Sequence, residues 1–303
     1  MARGFTERDV PDQHGRTAVV TGANTGIGFE AARVLAARGA RVLLGCRSEQ
    51  RAEDAMARIR AATPDADVAF VALDQASLAS VEAAAARVAE EPRLDVLVNN
   101  AGVMVPPLSR TEDGFELQLG VNHLGTFALT GRLLEQLAAD GGGRVVTTSS
   151  LAHRGGQLFL DDLAAEQGYD AQARYGQSKL ANLLFALELD RRTSTAGTPV
   201  TSIACHPGLA ATELVRHMPR PLAAVAPAVL GLVFNTAAQG AWPTLQAATD
   251  PDLPGGSYVG PQRWRETAGA SGPAQVSPRA QDPELARRLW DVSVELTGVD
   301  PGV

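Results

Sequence analysis

The chain has 303 residues, 27 basic side chains against 34 acidic ones, a net charge of −7 and 45% hydrophobic residues. An ordinary apolar fraction excludes a disordered chain, and an acidic balance without a Lys/Arg cluster argues against nucleic acid as a partner. Cys46 and Cys205 are the only cysteines. Two are too few for a disulfide scaffold and fit a reducing, cytoplasmic setting.

Residues 1–15 are polar, carry acids where a secretory signal needs an apolar core, and read as an N-terminal arm. From residue 16 short apolar runs alternate with amphipathic stretches. Thr17–Thr21 predicts a buried strand, followed by glycines and a helix to Arg38. Ala40–Gly45 predicts the second strand and Glu49–Ala62 a helix. Val68–Leu73 predicts the third strand and Leu78–Glu90 a helix. Leu94–Val98 is the fourth strand, followed by a helix over Gly125–Ala138. Arg144–Thr148 is the fifth, followed by a helix over Tyr175–Arg192. Val200–Ala204 is the sixth. Continuous apolar strands alternating with helices imply a parallel sheet covered on both faces, so the expectation is a single α/β domain over 16–303. Beyond residue 210 the alternation breaks, and Pro and Gly accumulate. The spacing there predicts a substrate-side cap over 210–250, a final edge strand near Ser257–Val259 and a last helix over Pro283–Thr297, with Asp282 as its N-cap. The longest apolar run, Pro221 to Phe234, contains two prolines and is shorter than the ~18 residues of a spanning helix. It reads equally as part of an apolar substrate site, a core helix or a contact between copies.

The first chemical signal is Gly22-Ala23-Asn24-Thr25-Gly26-Ile27-Gly28, set between a strand and a helix. Glycines there give a tight turn, close backbone approach to a pyrophosphate, and close helix packing, while the helix N-terminus offers N–H groups to phosphate. About 20 residues later an NAD-binding unit places an acid at the end of the second strand. This chain has Cys46-Arg47-Ser48 instead. A guanidinium suits a 2′-phosphate, which favours NADP(H) over NAD(H), held by Arg47 and Ser48. Asp74 ends the third strand and could bind the adenine edge or cap the next helix. Asn99, Asn100, Ala101 and Gly102 form a polar turn after the fourth strand, at the carboxyl edge where ligands bind in this architecture.

Lys179 is the only lysine among those 27 basic residues, and it follows Tyr175, one of three tyrosines, by four positions. Residues i and i+4 share a helical face, so phenol and ammonium can reach one ligand. A neighbouring ammonium favours the phenolate and brings the tyrosine toward the range of general acid–base work. Ser149 and Ser150 follow the fifth strand, where a hydroxyl could hold a substrate oxygen. Asn122 could bind a helix carbonyl or a water, while His123 reads as structural. Pro207 and Gly208 make a sharp turn that could bring Thr212 to the cofactor. The histidines show no metal-ligand spacing, so no metal is expected.

Taken together, TGANTGIG, NNAG, Asn122, Ser150, YGQSK and HPG resemble the short-chain dehydrogenase/reductase family across residues 16–212. The resemblance implies a Rossmann-type, doubly wound sheet of about seven parallel strands. It implies Tyr175 as acid/base, Lys179 as its electrostatic partner on the nicotinamide ribose, Ser150 as the residue orienting the substrate carbonyl, and Asn122 as holder of a relay water. SSLAH at 149–153, CR at 46–47 and the long interval between Ser150 and Tyr175 look like the retinol-dehydrogenase-like branch, which also includes protochlorophyllide-reductase-like members. Gln75 departs from the usual apolar residue after the adenine-site Asp. The implied activity is NADP(H)-dependent hydride exchange with a hydrophobic ketone, aldehyde or alcohol. Family members are often dimers or tetramers, so a homo-oligomer is compatible with the resemblance. Two other readings stay open. One is a non-catalytic NADP(H)-binding regulator, which would need no acid–base pair. The other is a sugar-nucleotide epimerase or dehydratase, which the glycine spacing and the lack of a separate C-terminal domain oppose.

Overall fold

Residues 4–209 and 235–303 are described by the structure, a computed structural model. Eight strands form one sheet: β1 (Thr17–Thr21), β2 (Arg41–Cys46), β3 (Val68–Ala72), β4 (Val96–Asn99), β5 (Gly143–Thr148), β6 (Val200–Cys205), β7 (Tyr258–Arg263) and β8 (Ala268–Pro273). The spatial order is β3-β2-β1-β4-β5-β6-β7-β8. All neighbours run parallel except β7 and β8, which are antiparallel. The order reverses direction at β1, between β2 and β4. A crevice therefore opens there at the carboxyl ends of the strands.

The strand residues explain the layers. Successive side chains point to opposite faces. Ala18 and Val20, with Val42 and Leu44, join one apolar cluster with α1 (Gly26–Ala37) and α2 (Glu49–Ala62). Val19, Leu43 and Leu97 join the other, with α3 (Leu78–Ala89) and the helices that feed β5 and β6. With both faces covered, the strands need no polar alternation, and every residue of β1 is buried.

One helical run precedes β5. It opens as α4 (Leu117–Leu119), widens into a π-type turn over Gly120–Leu124 and continues as α5 (Gly125–Ala138). Gln75 accounts for that turn in part. Its amide donates to Val121 O at 3.2 Å and to Thr126 Oγ1 at 3.0 Å. The amide thus takes up a carbonyl of the widened turn and a hydroxyl of the first turn of α5, which explains a polar residue at this buried position. The helix α6 (Ala171–Ala196) feeds β6. After residue 235 come α7 (Ala237–Gly240), α8 (Trp242–Thr249) and α9 (Pro283–Thr297). Asp282 caps α9 by accepting from Glu284 and Leu285 N–H, with Pro283 in the first turn.

Two expectations are corrected. The strand near Ser257–Val259 is not the sheet's edge, because β8 pairs alongside it and makes an eighth strand. The N-terminal segment is not a separate arm. Phe5 bridges to Ser271 of β8 and Val10 is buried in the core, so residues from 5 onward close the sheet's far margin. Thr212 and the apolar run 221–234, with the cap residues 210–234, lie outside the described residues. Among the described residues, no helix is long and apolar enough to cross a membrane.

Candidate active site

A cleft of about 870 Å³ lies at the carboxyl edge of the sheet. Its walls include Gly22, Asn24, Thr25, Gly26 and Ile27, then Arg47, Ser48 and Asp74, then Asn100, Ala101 and Gly102, and finally Ser150, Tyr175, Lys179 and Pro207. Residues up to 185 positions apart in the chain thus meet, because each lies at the end of a strand or in the helix beside it. Gly28, Asn122 and Gly208 are not among the residues lining the cleft: Gly28 packs on Gly22 and Asn100, Asn122 binds the Val103 backbone, and Gly208 packs on Thr267.

The glycines act through close contact. Gly22 has a φ of 66°, and a Cβ there would stand 3.1 Å from the Ala101 backbone. A Cβ on Gly28 would stand 2.4 Å from Asn100 Nδ2 and 2.6 Å from Gly22 O, so the first turn of α1 sits directly on the preceding loop. A Cβ on Gly26 would meet no atom within 4 Å and would project into the open cleft. Thr21 binds the two loops together. Its hydroxyl accepts from Asn100 N–H at 3.0 Å and Ala101 N–H at 2.9 Å, and its carbonyl takes Asn100 Nδ2 at 2.9 Å. Asn100 therefore serves the turn itself as well as lining the cleft. Cys46 lies underneath, its sulfur facing the N–H groups of Ala23 and Asn24, and burial pushes its thiol up to about 11.

At the far rim, Arg47 is mostly exposed, and its guanidinium lies 3.9 Å from Asp74 Oδ2. Ser48 caps α2 by accepting from Arg51 N–H at 3.4 Å. Asp74 accepts from Ala76 N–H at 2.9 Å, while Ser77 is the N-cap of α3. Asp74 thus stabilises the turn before the helix rather than capping it, and it remains on the cleft wall. Sequence reading missed Arg51 and Arg58, which also line the cleft, Arg58 lying over the Phe29 ring at 3.9 Å. Seven residues apart, they share one face of α2, and that spacing was the available signal.

The end of the cleft that holds Tyr175 and Lys179 is built from α6 and the loop after β5. α6 begins at Ala171, one turn earlier than its sequence pattern predicts, because Asp170 caps it through Ala173 N–H at 2.7 Å. Tyr175 and Lys179 thus sit inside a formed helix, and Lys179 Nζ lies 5.8 Å from the Tyr175 ring centroid on the same face. Lys179 Nζ also donates to Thr148 O at 3.2 Å. Ser149 is buried and donates to Lys179 O at 2.7 Å. That leaves Ser150 as the less buried of the pair; its hydroxyl accepts from Ala152 N–H at 3.2 Å. Asn122 stands in the π-type turn, its side chain engaged with Val103 and with Ser178 Oγ. A Cβ on Gly102 would lie 3.0 Å from Asn122 Oδ1 and 3.5 Å from Lys179 Nζ, so a glycine leaves both groups room.

Two buried histidines brace the floor. His153 Nε2 receives Ser277 N–H at 3.4 Å, which puts its proton on Nδ1, 2.7 Å from Ser150 O. His206 Nδ1 receives Gly208 N–H at 3.2 Å, so Nε2 donates to Glu266 at 3.1 Å, and Arg154 reaches the same carboxylate at 2.7 Å. Burial holds both imidazoles below their usual pKa, and each needs its neutral tautomer to make these bonds. Gly208 has a φ of 75°, and a Cβ there would press to 2.4 Å on Thr267 O. Cys205 is fully buried, and its thiol is pushed up by burial, consistent with packing.

A family model described as short chain dehydrogenase matches residues 16–222. Retinol dehydrogenase 14 of Mus musculus is 42% identical over 303 aligned residues, covering 94% of this chain and 87% of that protein. Polyprenol dehydrogenase of the same species is 43% identical, covering 97% and 87%. A crystal structure of an uncharacterised protein from Mycobacterium paratuberculosis superposes with a TM-score of 0.81 at 40% identity, covering 99% of this chain and all of that one. The chain belongs to the short-chain dehydrogenase/reductase family, on its retinol-dehydrogenase-like branch, and is an oxidoreductase.

Proposed function

We propose that the chain catalyses reversible hydride exchange between NADP(H) and an apolar alcohol or its carbonyl, with Asn122, Ser150, Tyr175 and Lys179 as the catalytic set. The observation that carries this is the convergence of Ser150, Tyr175 and Lys179 on the cleft that the glycine turn opens. The residues fit a dinucleotide: Gly26 leaves the cleft open where a Cβ would enter it, and the N-terminus of α1 faces the same space. When bound, the nicotinamide supplies the hydride acceptor or donor.

The protein's own residues do the rest. The glycine turn and α1 hold the pyrophosphate, with Gly102, Pro207 and Gly208 at the nicotinamide end. Thr212 is proposed for the carboxamide from its place in the sequence alone. Arg47 and Ser48, joined by Arg51, supply charge and hydrogen bonds at the rim for a 2′-phosphate, which favours NADP(H). Ser150 Oγ holds the substrate oxygen. Tyr175 Oη takes the alcohol proton in oxidation and returns it in reduction. The Lys179 ammonium favours the phenolate and pins the ribose. Asn122 keeps the Val103 backbone and Ser178 in place beside Lys179, where a relay water would join. Val103, Met104 and Val121 give the catalytic end an apolar lining, and relatives named as retinol and polyprenol dehydrogenases act on apolar alcohols.

The test is a panel of apolar primary and secondary alcohols, with their carbonyls in reverse, offered with NADP(H) and NAD(H) and followed by nicotinamide absorbance. Turnover favouring NADP(H) is expected, and Tyr175→Phe lowers kcat on the order of 10³-fold while cofactor binding persists. Cofactor binding without turnover on any alcohol or carbonyl would replace this reading with a binding protein.

A further inference from the structure

The helical run before α5 also governs the loop that follows β4. Gln118 and Asn122 are four residues apart and project from successive turns on one side of that run. They grip alternate residues of the loop. Asn122 Oδ1 accepts from Val103 N–H at 2.7 Å, and its Nδ2 donates to Val103 O at 2.9 Å. Gln118 Oε1 accepts from Val105 N–H at 2.8 Å. The other end of the same amide donates to Ala171 O at 2.9 Å and to the Tyr169 hydroxyl at 3.2 Å. The Tyr169 hydroxyl in turn donates to Pro106 O at 2.8 Å. Gln118 is fully buried, so none of these bonds competes with bulk water.

The grip holds a conformation that Val105 would not choose. Its φ is 52°, in the left-handed region, which a β-branched side chain enters only against steric resistance. Such a residue persists only where its surroundings over-determine it, and such residues gather at functional sites. Met104 lies between the two gripped positions and, with Val103, lines the cleft beside Ser150 and Tyr175. An unbranched thioether packs well against varied apolar chains.

We infer that Gln118 is a positioning residue for the substrate. By holding Val105 left-handed it sets Met104 as the apolar wall of the catalytic end, and through Ala171 O it ties that wall to the first turn of the helix carrying Tyr175. The inference rests on the hydride-transfer reading above and adds to it the element that receives the apolar chain of the alcohol.

The experiment compares wild type, Gln118→Leu, Tyr169→Phe and the double variant Gln118→Leu/Val105→Gly. It reads steady-state kinetics with the best apolar alcohol of the panel and hydrogen–deuterium exchange of residues 102–108. Gln118→Leu raises the alcohol KM about tenfold, the scale of the single hydrogen bond that fixes Val105 among the three it loses, while kcat and the cofactor KM hold. The amides of Gly102 to Val105 exchange faster, Pro106 and Pro107 having none. A glycine at 105 adopts the left-handed backbone without support, so the double variant regains most of the lost KM. An equal fall in kcat, an unchanged alcohol KM, or no recovery in the double variant overturns the inference. Should Gln118→Leu not fold, Tyr169→Phe carries the same split with a rise of about threefold, and its absence overturns the inference. A wild type that oxidises no alcohol defeats the parent reading instead. Exchange then decides the clamp, and unchanged rates at 102–108 defeat it too.

Discussion

The glycine-turn end of the cleft and its Tyr175–Lys179 end are built from different materials. Around β1, β2 and β4 the cleft is shaped by backbone and small residues: Gly22, Gly26 and Gly28, the Thr21 hydroxyl and the Asn100 turn. Arginine charge stands at the rim, where Arg47 is 77% exposed. Around β5, β6 and α6 the wall is shaped by buried polar side chains, each tied at least once: Gln118, Asn122, Ser149, Lys179, His153 and His206. A phosphate is recognised by N–H groups and space, which any sequence with the right glycines provides. Acid–base work requires particular atoms held within hydrogen-bond reach of one another, and burying them demands a partner for every polar group.

The contrast makes predictions that would break or sharpen it. The largest effect belongs to Gly28→Ala. Its Cβ would overlap Asn100 Nδ2 and the Gly22 carbonyl, so cofactor affinity falls roughly 100-fold or more while the fold survives. A fluorescence titration with reduced cofactor reads this, and unchanged affinity would show that the turn does not depend on close contact.

Next comes acid sensitivity at the catalytic end. His123 is buried in the π-type turn, 2.8 Å from Ser293 Oγ, and burial lowers its pKa from 6.5 to about 4. His153 and His206 shift in the same direction for the same reason. The folded pKa values lie below the unfolded one, so the unfolded chain binds more protons as pH drops. Stability is complete above pH 6.5 and is lost progressively toward about pH 4. His123 alone accounts for up to about 3 kcal/mol at the acid end. Urea midpoints should fall more steeply for wild type than for His123→Phe as pH drops from neutral to about pH 5. Parallel curves would remove His123 from the acid response.

The smallest effect is at the rim. Arg47→Asp shifts the NADP(H) to NAD(H) preference by about tenfold, with kcat nearly unchanged, since one exposed guanidinium is lost and Arg51 and Ser48 remain. Comparing kcat/KM for the two cofactors reads it, and an unmoved ratio would take Arg47 off the phosphate.

Legibility in the sequence followed the same division. β1, α2 and α9 were readable to the residue, since each is an apolar run or an amphipathic stretch with its own cap or breaker, whereas the run into α5 starts earlier, at Leu117, and has no side-chain cap at Gly125. The glycine turn and the Tyr175–Lys179 pair were readable because their spacing states their geometry. The strand β8, Ala-Gly-Ala-Ser-Gly-Pro, was not. It has no β-branched residue and no alternation, and it is a strand because β7 and Phe5 pair with it on either side. Arg51 and Arg58 were hidden among many arginines, and Gln118 looked like one more polar helix residue until the fold placed Val105, Tyr169 and Ala171 around its amide.

By itself, then, the sequence determined the local periods, the glycine turn between β1 and α1 and the helical face shared by phenol and ammonium, because these depend on spacing along a few residues. Only the tertiary structure decided which side chains are buried together and which backbone strain is tolerated. Gln118 and Val105 are 13 positions apart, and Ser150 and Ser277 meet through His153 across 124 positions from His153 to Ser277. Such contacts form only once the sheet has brought distant loops to one edge and excluded the water that would otherwise satisfy them.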